Sequence, residues 1–101
     1  MAKIVWTNRA IADLDEISEY IALDNIEAAS RLAARVVAHV VHLSKHPLIG
    51  SFVPETADEG LRQIVEPPVR IFYEFDGITV YILHILRFER LLRLSYLKDN
   101  E

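Results

Sequence analysis

The sequence has 101 residues, of which 51% are hydrophobic and 26% charged, with a formal net charge of −4. A chain of this length can bury one core unaided, and the absence of cysteine excludes disulfide frameworks, thiol nucleophiles and thiolate metal sites. The acidic balance excludes a broadly basic surface for polyanions, and no apolar run approaches the roughly 18 residues that span a bilayer. Because the N-terminus lacks the build of a signal peptide, we expect one cytoplasmic domain over residues 1–101. Its apolar content is high for one small core.

The first half of the chain predicts one strand and two helices. A strand over Lys3–Trp6 ends at Thr7-Asn8, either of which could cap a helix. Residues 9–23 and 26–46 repeat apolar side chains at helical spacing. Because only Asp24-Asn25 separates the two segments, they should form an antiparallel helical hairpin. The stripe expected to be buried on the second helix consists of Ile26, Ala29, Ala33, Val36, Val37, Val40 and Leu43.

The second half predicts three strands after an ordered connection. They span residues 61–66, 69–75 and 78–87, with turns at Pro67-Pro68 and Asp76-Gly77. The predicted fold is α+β, with the helical hairpin packed on a small antiparallel β-sheet in the order β-α-α-β-β-β.

A two-residue turn at Asp76-Gly77 decides which side chains share a face of the last hairpin. It places Tyr73 opposite Val80 and Val69 opposite His84, on an apolar face beneath the helices. Four apolar side chains lie between two arginines on the other face: Phe72, Tyr81, Leu83 and Ile85, with Arg70 and Arg87. Two helices cover only one side of the sheet. We therefore expect the other side to expose an apolar surface on the order of several hundred Å² that a partner protein covers. The alternative is that the C-terminal tail folds back over it.

Five segments in this order and spacing carry a resemblance to a known family. Residues 7–21 contain the pattern Ala-x-x-Asp-Leu-x-x-Ile, and His46-Pro47-Leu48-Ile49-Gly50 follows the second helix. The strand segments are Leu61-Arg62, Val69-Arg70-Ile71-Phe72-Tyr73 and Ile82-Leu83-His84-Ile85-Leu86-Arg87. Together they resemble the ParE/RelE superfamily of small bacterial toxins from type II toxin–antitoxin modules, over nearly the whole chain.

The resemblance implies one of two activities and one kind of partner. RelE-like members cut messenger RNA on the ribosome without metal, whereas ParE-like members poison DNA gyrase. Both are held inactive by an antitoxin whose C-terminal segment wraps the toxin, and we expect it on Phe72, Tyr81, Leu83 and Ile85. A third alternative is an inactive module that only binds its antitoxin.

Metal-free RNA cleavage requires a base, an acid and cations on the phosphate. The candidates are Arg70, Arg87 and Tyr81, with Tyr96 as a further possible tyrosine, since the register above turns Tyr73 into the core. The strand over residues 61–66 has no lysine where RelE-like proteins carry catalytic ones, which favours the ParE-like branch. No cofactor is expected.

Arginines recur at every third position near the C-terminus: Arg87, Arg90 and Arg93. We expect them to contact an acidic target, because the rest of the chain is mostly negative. A solvated tail is the alternative.

Three histidines lie on one arc of the second helix: His39, His42 and His46. Their spacing can ligate zinc, but no carboxylate of the same helix face completes a site. A solvated basic face near the helix C-terminus is therefore the favoured interpretation, and no metal site is predicted.

Overall fold

The computed structural model describes residues 1–92 of the chain. Its elements, in chain order, are β1 (Lys3–Trp6), α1 (Asn8–Ala22), α2 (Ile26–His42), β2 (Ser51–Phe52), β3 (Leu61–Glu66), β4 (Val69–Phe75) and β5 (Thr79–Arg87). The strands form one sheet in the order β1-β5-β4-β3-β2, and α1 and α2 pack against one face of it. The predicted α+β fold with a helical hairpin on a sheet is confirmed. No helix within residues 1–92 is long and apolar enough to cross a membrane.

The sheet is mixed rather than wholly antiparallel. β1 pairs in parallel with β5, and the Thr7 N–H donates to the Ile82 carbonyl at 3.1 Å where β1 ends. β2 adds a fifth strand of two residues, with Ser51 opposite Gln63. Two residues are too few for an alternating pattern, so the sequence shows no signal for β2.

Both helices begin at the caps that their sequences favour. The Thr7 hydroxyl accepts from the Ala10 N–H at 3.2 Å, and the Asn25 side chain accepts from the Ala28 N–H at 3.0 Å. α2 ends at His42, four residues earlier than expected. The expectation that Ile26 and Val37 are buried is wrong: they are 72% and 46% exposed. The buried stripe of α2 consists of Ala29, Leu32, Val36 and Val40.

The turn between β4 and β5 lies one residue later than expected. The Asp76 N–H donates to the Thr79 carbonyl, so the two loop residues are Gly77 and Ile78. Hydrogen bonds from the N–H groups of Thr79 and Ile78 support this turn and lower the pKa of Asp76. Gly77 has φ +98°, a value that a side chain disfavours. Because this shift changes the pairing by two positions, each residue before Leu83 keeps its predicted face.

A β-bulge at Leu83 then reverses the faces of the rest of β5. Tyr73 lies opposite Ile82, but Phe72 lies opposite His84, so Leu83 is an extra residue. The prediction that Ile85 shares a face with Phe72, Tyr81 and Leu83 is therefore wrong, whereas Leu83 does lie on the side of Phe72. Ile85 belongs to the core under the helices, and His84 pairs with Phe72 across the strands.

The side of the sheet away from the helices carries a second apolar cluster. It consists of Val53, Leu61, Phe72, Leu86 and Leu92, with Leu83 packed against it. Phe72 is completely buried because the connection after β2 and the C-terminal segment that ends at Leu92 lie over it. The expectation that Phe72 is exposed for a partner protein is wrong. For this part of the face, the alternative that the C-terminal segment folds back over the sheet is correct.

Beyond the end of β1, α1 and its N-cap supply hydrogen-bond partners for the exposed backbone groups along the edge of β5. The buried Asp13 carboxylate accepts the Ile85 N–H at 3.0 Å and pairs with His84 Nδ1. The Thr7 hydroxyl donates to the Ile82 carbonyl at 2.7 Å. Asp13 thus supplies the backbone partner that a neighbouring strand would provide, directly after the bulge.

We predict that Asp13→Ala destabilises the fold by about 2–3 kcal/mol, because it leaves the buried Ile85 N–H and the His84 ring without their acceptor. Urea unfolding measures the change. Asp15→Ala, at an exposed position of the same helix, is the matched control and should shift stability by less than about 0.5 kcal/mol. Equal stability of the two variants would contradict the role of Asp13.

Candidate functional site

Arg70 forms a bidentate ion pair with Glu55 on the side of the sheet away from the helices. Its Nη1 lies 2.9 Å from Glu55 Oε1, and its Nη2 lies 2.7 Å from Oε2. The two side chains are only 12% and 14% exposed. Two parallel charge-assisted hydrogen bonds make this the strongest geometry available to the pair.

The remaining contacts of Arg70 are also within the chain. Nη1 donates to Gln63 Oε1 at 3.2 Å, Nη2 donates to the Arg90 carbonyl at 2.8 Å, and the guanidinium lies 4.9 Å from the centre of the Phe72 ring. Arg70 is therefore engaged in holding the fold. The prediction that it holds a phosphate disagrees with this geometry.

Glu55 also binds the C-terminal segment. The Leu92 N–H donates to Glu55 Oε2 at 2.8 Å, beside the Arg70 bond to the Arg90 carbonyl. We call this set, Glu55, Arg70, the Arg90 carbonyl and the Leu92 N–H, the Glu55 clamp. Hydrogen bonds from Arg70, assisted by the bond from Leu92, lower the pKa of Glu55 from 4.5 to about 2.

Arg87 lies on the opposite side of the sheet from Arg70. It pairs with Val69, a residue of the core under the helices, and its guanidinium lies 4.6 Å from the centre of the Tyr20 ring on α1. Its Nε lies 3.0 Å from Glu89 Oε1, in an ion pair. The expectation that Arg70 and Arg87 share a face is wrong, because the extra residue at Leu83 reverses the side on which Arg87 projects.

A groove of about 290 Å³ lies between α1 and the end of β5. Asp13 and His84 form part of its lining, Tyr20 contributes from α1, and Arg87 and Arg90 contribute from the C-terminal side. We call it the α1–β5 groove. It combines an aromatic wall with three arginines: Arg9 of α1, and Arg87 and Arg90, which the sequence had assigned to target binding.

The other predicted contact residues are dispersed. Tyr81 is 36% exposed and pairs with Glu74 near the hairpin turn, and Leu83 is half-buried against the second cluster. Ile85 is buried under the helices, so its predicted role in antitoxin binding disagrees with the structure. Arg93 and Tyr96 lie outside the described residues. Six positions of extended chain, about 20 Å, separate Tyr81 from Arg87.

Tyr73 is buried, as the register argument predicted. Its hydroxyl accepts the Gly50 N–H at 2.8 Å, and burial raises its pKa. A Cβ on Gly50 would lie 2.5 Å from that hydroxyl and 2.8 Å from the Gln63 carbonyl. Gly50 is thus required for the close approach of the loop to β4, and Tyr73 is a structural residue.

The histidine face of α2 has a carboxylate neighbour that the sequence did not reveal. Glu66, at the end of β3, lies 3.2 Å from His39 Nδ1 and 3.3 Å from Arg35 Nε. The rings of His42 and His46 lie 4.7 Å apart. Within residues 1–92, no group of three or more His, Cys, Asp or Glu side chains is placed to hold a metal.

Three residues of these sites were missed by sequence reasoning. Asp13 and Tyr20 lie on α1 among other charged and polar residues, and Glu55 lies in a connection without periodicity. A carboxylate in the family pattern Ala-x-x-Asp-Leu was the one available signal, for Asp13. Nothing local marks Glu55, because its partners are 15 and 37 residues away.

We predict that Glu55→Gln lowers the free energy of unfolding by about 2–3 kcal/mol at neutral pH. The folded-state pKa of Glu55 lies below the unfolded value, so its contribution is complete above pH 4.5 and is lost as the pH falls toward about 2. The difference between wild type and Glu55→Gln should therefore shrink over that range in urea unfolding. Glu59→Gln, at an exposed position of the same connection, is the control. A difference independent of pH would contradict the clamp.

We predict that Gly50→Ala destabilises the protein by about 1–3 kcal/mol, because the new methyl group overlaps Tyr73 and the Gln63 carbonyl. Thermal unfolding measures the effect. In Gly60→Ala the methyl group meets only Asp58 Oδ1, at 3.2 Å, and this control should stay close to wild type. A cost no greater than that of Gly60→Ala would show that the approach to Tyr73 is looser than described.

Comparisons with known proteins agree with the fold. Residues 4–92 match the family model described as the ParE toxin of the type II toxin–antitoxin system parDE. Toxin RelE2 of Caulobacter vibrioides is 36% identical over 94 residues, which cover 93% of this chain and 100% of that protein. Putative toxin Y4kP of Sinorhizobium fredii is 44% identical over 48 residues, 48% of this chain and 50% of that one.

A solved structure extends the similarity to three dimensions. A chain of the chromosomal ParDE TA system from P. aeruginosa superposes with a TM-score of 0.72 and 30% sequence identity. The match covers 88% of this chain and 98% of that one. On this agreement of family model, relatives and fold, the chain belongs to the ParE toxin family of type II toxin–antitoxin systems.

Proposed function

We propose that this toxin arrests growth by binding DNA gyrase through protein contacts, and that a cognate antitoxin neutralises it in the cytoplasm. The Glu55 clamp is the observation that favours gyrase binding rather than RNA cleavage. Arg70 is the best-placed candidate for a phosphate-binding cation, but its donors already form two hydrogen bonds to Glu55 and one to the Arg90 carbonyl.

The separation of the other candidates supports the same conclusion. Metal-free cleavage requires acid, base and cation within reach of one phosphate. Arg70 and Arg87 lie on opposite sides of the sheet, and Tyr81 lies about 20 Å along β5 from Arg87. The described residues thus do not assemble the predicted ribonuclease set, although RelE2 of Caulobacter vibrioides is a relative.

The arginines near the end of β5 are the proposed target contacts. Arg87 is stacked on Tyr20, and Arg90 is exposed on the following turn. Only the carbonyl of Arg90 enters the Glu55 clamp, so its side chain is not needed to hold the segment. Arg93 remains part of the proposal from its place in the sequence.

Exposed apolar side chains on α2 support antitoxin binding. Ile26, Val37 and Val41 follow one side of this helix and are exposed. An exposed apolar row suits an amphipathic segment of a partner protein. Tyr81 and Leu83 remain proposed antitoxin contacts, whereas buried Phe72 and Ile85 do not. The related P. aeruginosa structure is described as a ParDE system.

We predict that the purified full chain inhibits gyrase supercoiling and leaves ribosome-bound message intact. Arg90→Gln should weaken supercoiling inhibition about tenfold or more, from the loss of charged hydrogen bonds, with an unchanged melting temperature. Arg31→Gln removes an exposed arginine of α2 and is the matched control.

Tyr81→Phe separates the two activities. It should leave growth arrest unchanged if the toxin acts on gyrase, whereas loss of an acid or base typically costs about 100-fold or more in cleavage. Cleavage of ribosome-bound message that Tyr81→Phe abolishes would overturn the gyrase proposal. The absence of growth arrest in every host would instead identify an inactive antitoxin-binding module.

A further inference from the structure

The α1–β5 groove has the chemistry of a receptor for one acidic side chain. We propose that it binds an Asp or Glu of a polypeptide segment, with the carboxylate between Arg87 and Arg90 and a neighbouring apolar side chain against Tyr20. The inference deepens the proposed function, since it names the chemistry of the protein segment that meets these arginines.

The size of the groove fits this occupant. Its volume of about 290 Å³ lies just below the range of drug-sized ligand pockets, about 300–1,000 Å³, and suits one or two side chains. Ile17 and Tyr20 supply an apolar wall from α1, and Arg87 and Arg90 supply cations from the other side. A carboxylate next to an apolar side chain matches both walls at once.

The two arginines are suited to bind an anion. Stacking on Tyr20 orients the Arg87 guanidinium, whose Nε lies 3.0 Å from the exposed Glu89 carboxylate. Within residues 1–92, Glu89 is the one carboxylate paired with Arg87, and the guanidinium of Arg90 forms no ion pair. An ordered guanidinium loses little conformational freedom when a carboxylate binds it in the bidentate mode.

The main chain holds Arg90 at the groove. Its N–H donates to the Arg87 carbonyl at 3.0 Å, and its carbonyl accepts from Arg70 in the Glu55 clamp. The clamp on one side of the sheet thus orders the residue that lines a groove on the other side. Substitution of the Arg90 side chain leaves both backbone bonds in place.

The charges around the arginines favour a peptide over a nucleic acid. Glu16 and Asp13 line the same groove together with Arg9, Glu89 lies beside Arg87, and the chain has a net charge of −4. A single carboxylate can lie between the two arginines, whereas successive phosphates of a nucleic acid would extend over these carboxylates and be repelled.

The test is an NMR titration of the isotope-labelled full chain with the blocked tripeptides acetyl-Leu-Glu-Leu-amide and acetyl-Leu-Gln-Leu-amide. We expect saturable shifts of the Arg87 and Arg90 side-chain Nε–H signals and of Tyr20 with the Glu peptide. The Gln peptide should bind about tenfold or more weakly, because it lacks the charge. Arg90→Gln should abolish that preference, and Arg31→Gln should retain it.

Three outcomes would overturn the inference: equal binding of the two peptides, shifts confined to residues outside the groove, or tighter binding of an eight-nucleotide thymidine strand. This titration is independent of the gyrase assay. A Glu preference at the groove without supercoiling inhibition would refute the gyrase target alone, and inhibition without any Glu preference would refute the groove alone.

Discussion

One extra residue in β5, held in place by a buried carboxylate, determines which side chains reach which side of the sheet. Leu83 bulges out of the pairing with β4, and Asp13 accepts the Ile85 N–H directly after it. From that point the strand presents Ile85 to the helices and Leu86 to the second cluster. Without the bulge, Arg87 would lie beside Arg70, and the chain would carry a pair of cations on one face. The bulge instead gives the two arginines separate roles.

The Glu55 clamp explains how a small sheet can have apolar clusters on both sides. Two helices cover one side, and the other is closed by a connection and a short C-terminal segment that have little regular structure of their own. Such segments carry backbone groups that require partners when buried. Glu55 and Arg70 supply these partners for Leu92 and Arg90 while neutralising each other. The ion pair thereby lets Leu92 pack on Phe72 and closes the second cluster.

The same arrangement supports the proposal that this member of the ParE family acts without RNA cleavage. A phosphate-binding arginine must present its donors to the substrate, and Arg70 presents them to the protein. What remains accessible is a groove with an aromatic wall and three lining arginines, together with apolar residues along α2. Both features are suited to polypeptide partners, in keeping with the proposal that the toxin acts and is neutralised through protein contacts.

Local signals in the sequence determined the helical hairpin, its caps at Thr7 and Asn25, the strands β1, β3, β4 and β5, and the family, because each depends on periodicity or on residues close in the chain. The structure accounts for part of the high apolar content, since some apolar residues form the second cluster and others are exposed along α2. Only the tertiary structure decided the faces of β5 and the partners of Arg70 and Arg87. A bulge is stabilised by a residue 72 positions away and an ion pair by one 15 positions away. Local sequence patterns do not predict such contacts, because they form only when elements distant in the sequence pack together.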